Sequence, residues 1–289
     1  MKVLVTGAGG QLGLDLLDAF DEHDVVGLAA PDLDVADEAA VVAAVRDHEP
    51  DLLVHAGAWT DVDGCERDPD RAHQVNALGT WWVARACHLI DAAMVYVSTD
   101  YVFEGQGRRD AGGDLRPYTE FDPTLPLNSY GRSKEAGEQL VRQTLARHYI
   151  VRTSWLCGAR GRNFVRTMLR LGEERGRTAP IKVVDDQVGS PTFTRDLAAA
   201  IRELGVTGRF GTYHRTNRGM CSWYQFARAI FELAGLDVDL RPSHSDALDR
   251  PAPRPAYSVL SERHSVLSGL KDMPHWREGL TRLLEELRR

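Results

Sequence analysis

Residues 2–13 read Lys2-Val3-Leu4-Val5-Thr6-Gly7-Ala8-Gly9-Gly10-Gln11-Leu12-Gly13, and their order decides the fold. The run from Lys2 to Val5 is short, apolar and rich in β-branched residues, as a buried strand requires. Glycines interrupt it, and an apolar pattern at helical spacing then runs through Leu12, Leu16, Leu17 and Phe20. Strand, glycine turn and helix in this order form a dinucleotide-binding unit. Gly7 permits the tight turn, Gly10 lets the backbone approach a pyrophosphate, and Gly13 allows close helix–strand packing. The helix start offers free N–H groups and partial positive charge to the phosphates. Gly7, Gly9, Gly10, Gln11 and Leu12 are therefore the first candidate cofactor-binding residues.

Apolar runs alternate with helical patterns beyond this unit. Strands are predicted at 2–6, 24–29, 51–55, 93–98 and 148–152, with a further one at 180–184, and helices at 11–21, 37–47, 69–90 and 129–146. Such alternation predicts an α/β fold: a Rossmann-type, doubly wound parallel sheet with helices on both faces. Ligands of such sheets bind at the carboxyl ends of the strands, where GAGG, AGAWTDVD, STDYVF and RTSW all fall. Past residue 155 the pattern loosens into helices near 161–174, 194–204, 222–234 and 275–287, with a proline-rich stretch at 241–258. The expected division is a dinucleotide-binding domain over 1–155, rejoined by about 181–200, and a smaller C-terminal substrate-binding lobe within 156–289. The glycine- and charge-rich stretch 104–117 reads as a mobile surface loop.

Composition excludes several classes. The formal charge is −7, from 35 basic against 42 acidic residues, and the arginines are interspersed with acids, so no nucleic-acid face is expected. The four cysteines, Cys65, Cys87, Cys157 and Cys221, are scattered without metal-ligand spacing. No metal site is expected, and a reducing cytoplasmic setting is. The first residues are already strand and phosphate loop, so no signal peptide is read. No apolar run approaches the ~18 residues of a membrane span.

Within NSYGRSKEAGE, Tyr130 and Lys134 stand four apart, one turn along the same helix face. A lysine ammonium close to a phenol favours the phenolate. The pair is thus a candidate proton-trading group for a substrate oxygen.

The motifs TGAGGQLG, LDVAD, HAGAWTDVDGCE, VNALGT, STDYVF, PLNSYGRSKEAGE, RTSWL, GRNFVRTML, DDQVGSPT, GTYH, SWYQFA and RPAYS follow one another along nearly the whole chain. In this succession the chain resembles the extended short-chain dehydrogenase/reductase family, and within it the reductases of sugar nucleotides. The resemblance implies that Thr99 polarises a C4 carbonyl, Tyr130 donates the proton, and Lys134 lowers the tyrosine pKa and holds the nicotinamide ribose. It implies cofactor contacts from Asp34, on the adenine, and from Ala56, Gly57, Ala58 and Thr60. On the substrate side it implies Asp61, Asp63, Thr99 and Asp100, with Trp155 packing on the sugar. Asn163, Gln187 and Arg254 are the implied diphosphate partners, and Asn76 a brace of the active-site strands. Related dehydratases carry Asp-Glu after the threonine; Asp100-Tyr101 here speaks for plain reduction.

The implied reaction is reduction of the C4 keto group of dTDP-4-dehydro-L-rhamnose. Reduction of another dTDP-deoxysugar, sugar-nucleotide epimerisation and a non-catalytic, nucleotide-binding regulatory role remain open alternatives. Three departures stand out. The loop between Thr99 and Tyr130 is long for the family, and Tyr257 replaces a usual asparagine. Arg195 occupies the helix through which some relatives form a magnesium-bridged dimer, which speaks against that bridge and leaves a monomer or homodimer. No acid closes the second strand, at Gly27-Leu28-Ala29-Ala30, so NADPH is the expected cofactor, with NADH accepted.

Overall fold

A computed structural model describes residues 1–288. Six parallel strands form the central sheet: β1 (Lys2–Thr6), β2 (Asp24–Leu28), β3 (Leu52–His55), β4 (Ala93–Thr99), β5 (His148–Thr153) and β6 (Gly211–His214). Their spatial order is β6-β5-β4-β3-β1-β2. The chain leaves β1 for β2 on one side and then returns to build β3 to β6 on the other. That reversal opens a crevice at the carboxyl end of β1, the usual ligand position in such sheets.

Buried apolar runs explain the strands, because a parallel sheet covered on both faces needs side chains that tolerate water on neither. Val3, Val5, Val54, Val95 and Val151 face one layer, with helices α1 (Gln11–Ala19) and α6 (Thr194–Gly205). Leu4, Leu53, Met94, Tyr96 and Ile150 face the other, built on α2 (Glu38–His48), α3 (Gly79–Leu89) and α4 (Ser129–Thr144). A third core joins α5 (Phe164–Arg175), α7 (Trp223–Ala234) and α8 (Trp276–Leu287) around Phe226, Ile230 and Leu280.

The structure corrects several expectations. Residues Ile181–Val184 do not enter the central sheet; they pair in parallel with Leu240–Ser243 in the third core. The sixth strand is Gly211–His214 instead, beside β5. The helix expected over 69–90 is divided by a π-type turn at Gln74–Leu78. The stretch 104–117 folds on itself, with Arg108–Arg109 antiparallel to Leu115–Arg116. No helix among the described residues is long and apolar enough to cross a membrane.

Candidate active site

A cavity of about 450 Å³ opens at the carboxyl ends of β1, β3, β4 and β5, lined by the glycine loop, Thr99, Tyr130, Lys134 and Trp155. The loop's shape depends on its glycines. Gly7 has φ +71°, and a Cβ there would stand 2.6 Å from the Gly57 nitrogen. A Cβ on Gly13 would lie 2.2 Å from the Gly7 carbonyl oxygen. Gly10 is the N-cap of α1 and brings no side chain to the first-turn N–H groups. Those donors stay available to an anion, as a dinucleotide pyrophosphate requires. Gly7, Gly10, Gln11, Leu12, Ala56, Ala58 and Thr60 all line the cavity. Gly57 lies behind Gly7, and Gly9 packs toward Ala29.

Helix α4 carries Tyr130 and Lys134. Asn128 caps it by accepting from the Gly131 N–H at 2.9 Å. Gly131 and Gly137 let it approach: Cβ atoms there would meet the Tyr101 carbonyl at 2.2 Å and the Tyr96 hydroxyl at 2.6 Å. The approach sets Tyr130 beside Thr99 and drives Lys134 into the sheet. The Lys134 ammonium donates to the Val97 carbonyl at 2.9 Å and sits 4.2 Å above the Tyr96 ring centre. Burial lowers its pKa to about 7, against the pull of the Glu138 carboxylate. Thr99 donates to an Asp100 carboxylate oxygen at 2.9 Å. The other Asp100 oxygen is buried, and burial pushes this acid up to about 6, with hydrogen bonds from Ser258 and then Thr99 opposing.

Tyr130 departs from the reading made on spacing. Burial pushes its phenol upward, reinforced by the Asp100 charge, and a hydrogen bond with Thr99 works the other way. Lys134 does not depress it, because the ammonium points at Val97 instead. A neutral phenol is nonetheless the form that donates a proton during a reduction.

Other implied residues have different surroundings. Asp34 is exposed and accepts from the Ala36 N–H at 2.9 Å, while Asp37 caps α2. Asp61 caps the short helix Val62–Arg67. Asp63 pairs with Arg254 at 3.0 Å, whose proximity helps hold its carboxyl below the usual range against burial. Asn163 caps α5 and reaches Gln11 at 3.4 Å. Gln187 is buried and donates to Ser245 at 2.8 Å. Asn76, inside the π-type turn, holds the backbone of Trp59 through both its amide atoms and donates to Ser133 at 3.0 Å, tying the loop after β3 to α4. Tyr257 lies buried among Val102, Phe103 and Tyr118, so its replacement of asparagine serves packing.

Two features have no obvious signal in the sequence. His55 bridges Thr6 at 2.6 Å and Thr80 at 3.2 Å, and burial lowers its pKa to about 3, so a neutral ring links the ends of β1 and β3. Trp223 stacks on Trp155 with ring centres 3.5 Å apart and planes 6° apart, forming one cavity wall. Trp155 has φ +47°, unusual for a bulky residue, and Gly189 leaves room for its ring.

Thr99 and Tyr130 stand side by side next to the glycine-loop cradle, and the class is that of an NAD(P)H-dependent oxidoreductase of the short-chain type. Within it, the chain belongs to the family described as the RmlD substrate binding domain, whose model matches residues 1–289. A dTDP-4-dehydrorhamnose reductase of Streptomyces griseus is 44% identical over 287 residues, covering 96% of this chain and 91% of that protein. The spore coat polysaccharide biosynthesis protein SpsK of Bacillus subtilis is 42% identical over 287 residues, covering 99% and 97%. A dTDP-4-dehydrorhamnose reductase of Bacillus anthracis, solved in complex with NADP, aligns with a TM-score of 0.93 at 42% identity over 99% of each chain.

Proposed function

We propose that this protein reduces the C4 keto group of dTDP-4-dehydro-L-rhamnose, giving dTDP-L-rhamnose, with NADPH as the hydride source. The observation that carries the reading is the convergence of Thr99, Tyr130 and Lys134 on the cavity that the glycine loop lines. The bound nicotinamide supplies the hydride. Thr99 and Tyr130 hold the carbonyl oxygen, and the Tyr130 hydroxyl passes its proton to that oxygen as negative charge develops there. Lys134 orients the ribose. Gly7, Gly9, Gly10, Gln11 and Leu12 cradle the pyrophosphate; Asp34, Ala56, Gly57, Ala58 and Thr60 border the adenosine half.

NADPH is preferred because the acid nearest the end of β2, Asp32, turns its carboxylate back onto the Ala29 N–H at 3.0 Å, and no acid closes the strand itself. On the substrate side, Trp155 packs against the sugar and Asp100 lies beside its reacting end. Asp61 and Asp63 border the substrate on the loop after β3, and Asn163, Gln187 and Arg254 border the nucleotide diphosphate. Arginine suits that group by its paired donors, and Arg254 reaches it by exchanging its Asp63 partner. Four free, buried cysteines fit a cytoplasmic protein. A monomer or homodimer without a metal bridge fits Arg195, which pairs with Glu286 at 3.2 Å.

The test is direct. The purified protein is mixed with dTDP-4-dehydrorhamnose and NADPH while nicotinamide absorbance is followed. Absence of oxidation in a folded protein that binds NADPH overturns the reading, and UDP- and GDP-linked substrates in parallel establish the nucleotide preference.

A further inference from the structure

One buried ionic group lies directly behind the site and takes no part in the chemistry above. Glu138 follows Lys134 by one helical turn on α4 and is fully buried. One of its oxygens accepts from the Ser98 hydroxyl at 2.7 Å and from Arg152 Nε at 2.8 Å. The other accepts from Arg152 Nη2 and from Arg142, both at 2.7 Å. Ser98 and Arg152 are partners in register across β4 and β5, as are Arg152 and His214 across β5 and β6. Arg152 Nη1 lies 3.4 Å from the His214 ring. A polar row thus crosses three strands, with Glu138 closing it from above.

This row meets the active site on consecutive residues. Val97 is held by Lys134, Ser98 by Glu138, and Thr99 by Tyr130. The three anchors stand at i, i+4 and i+8 on one face of α4. We propose that Glu138 is a positioning residue of the active site, fixing the Val97–Thr99 edge of β4 against α4 and setting a carboxylate one helical turn from Lys134.

Interior charges occur in partnered groups, because an unpaired one is too poorly solvated to persist. The groups facing Lys134 are His55 from β3, Tyr96 from β4 and Glu138 from α4. Arg152, Arg142 and His214 stand beyond Glu138. His55 is neutral, so among these Glu138 alone brings negative charge. Its attraction opposes the burial that lowers Lys134 to about 7.

The inference rests on the reductase reading of the site, but its test has a readout independent of turnover. The chain has four lysines, Lys2, Lys134, Lys182 and Lys271, and Lys134 alone is buried. In protein carrying 13C-labelled lysine, the Lys134 side-chain resonance gives its titration directly. In Glu138→Gln that midpoint falls by about one pH unit, the scale of a lost neighbouring charge. The alkaline limb of the turnover profile moves with it, and Glu138→Asp restores the midpoint. A residue that only packs would lower stability and leave the midpoint in place; an unchanged midpoint in folded Glu138→Gln overturns the proposal.

Should that variant not fold, Arg142→Gln reads the same coupling with the opposite sign. Removing the half-exposed arginine that shares the carboxylate raises the Lys134 midpoint, and no movement overturns the proposal equally. A parent protein that shows the lysine titration but no sugar reduction refutes the functional reading while leaving this coupling standing.

Discussion

Gly13→Ala adds one methyl group to the first turn of α1 and provides a severe test of the cradle. The new Cβ would stand 2.2 Å from the Gly7 oxygen, 2.6 Å from the Ala8 Cα and 2.8 Å from the Ala8 carbonyl carbon. All three are backbone atoms, so no flexible side chain can yield, and α1 must move off the loop. Alanine favours the helix by about 1 kcal/mol, whereas overpacking of this kind costs about 1–3 kcal/mol. The net loss of stability is therefore small, about 0–2 kcal/mol. The effect on ligand binding is larger, because the displaced element is the one whose N–H groups face the pyrophosphate. NADPH affinity, followed by the cofactor's own fluorescence, is expected to fall by at least about tenfold, or ~1.4 kcal/mol. Gly57→Ala is the contrast, since the nearest atoms to its Cβ lie at 3.6 Å and the melting temperature should hold. If Gly13→Ala binds NADPH as tightly as the parent, the close approach does not organise the site and the reasoning fails.

Tyr130→Phe is expected to keep NADPH affinity and lose turnover by about 10²–10⁴-fold, measured by nicotinamide absorbance; near-parental turnover removes the tyrosine from the mechanism. Asp100 has a folded pKa raised from 3.8 to about 6, so its carboxylate is tolerated least in the folded state. Its contribution is favourable below pH 3.8 and is lost as pH rises through 6, by about 3 kcal/mol in all. Asp100→Asn should therefore be more stable than the parent above pH 6 in urea titrations, with the gain disappearing near pH 4. Arg254→Ala should raise KM for the sugar nucleotide by about tenfold with little change in kcat, the mark of uniform binding; an unchanged KM removes Arg254 from the diphosphate site. Trp223→Ala releases the Trp155 ring, and the expected result is a higher KM with a red-shifted tryptophan emission; unaltered values refute a supporting role.

Much of the fold was legible because five strands and the glycine turn are continuous apolar runs with sharp boundaries. Ile181–Val184 looks the same to a sequence reading, since apolar content does not say which partner a strand takes. Its mate, Leu240–Ser243, contains Pro242, which cannot donate to a ladder and suits a small edge pair. The four residues of β6 are too few to stand out. At the site, the spacing of Tyr130 and Lys134 put both on one face of α4, and both line the cavity. It could not reveal that the ammonium turns toward Val97, which follows from how closely Gly131 and Gly137 let α4 approach β4. Asp34, Asn163 and Gln187 carry the residue types that bind ligands, but the same oxygens and amides also satisfy local backbone and side-chain partners. Trp223 was invisible for another reason: its partner Trp155 belongs to a distant segment brought alongside only by folding.

The sixth strand also bears on how the protein comes to exist. β6 leaves the ribosome only after α5 and α6 have been made, yet it completes the sheet and carries His214 at the end of the buried polar row. Helix α6, equally late, covers the face on which α1 lies. An emerging chain that has reached β5 holds every residue of the glycine loop and of the Thr99–Tyr130–Lys134 group. It still presents a bare sheet edge, an uncovered apolar face and an arginine–glutamate pair open on one side. Such a nascent intermediate is vulnerable to aggregation, and its nucleotide site gains a finished foundation only once β6 has emerged.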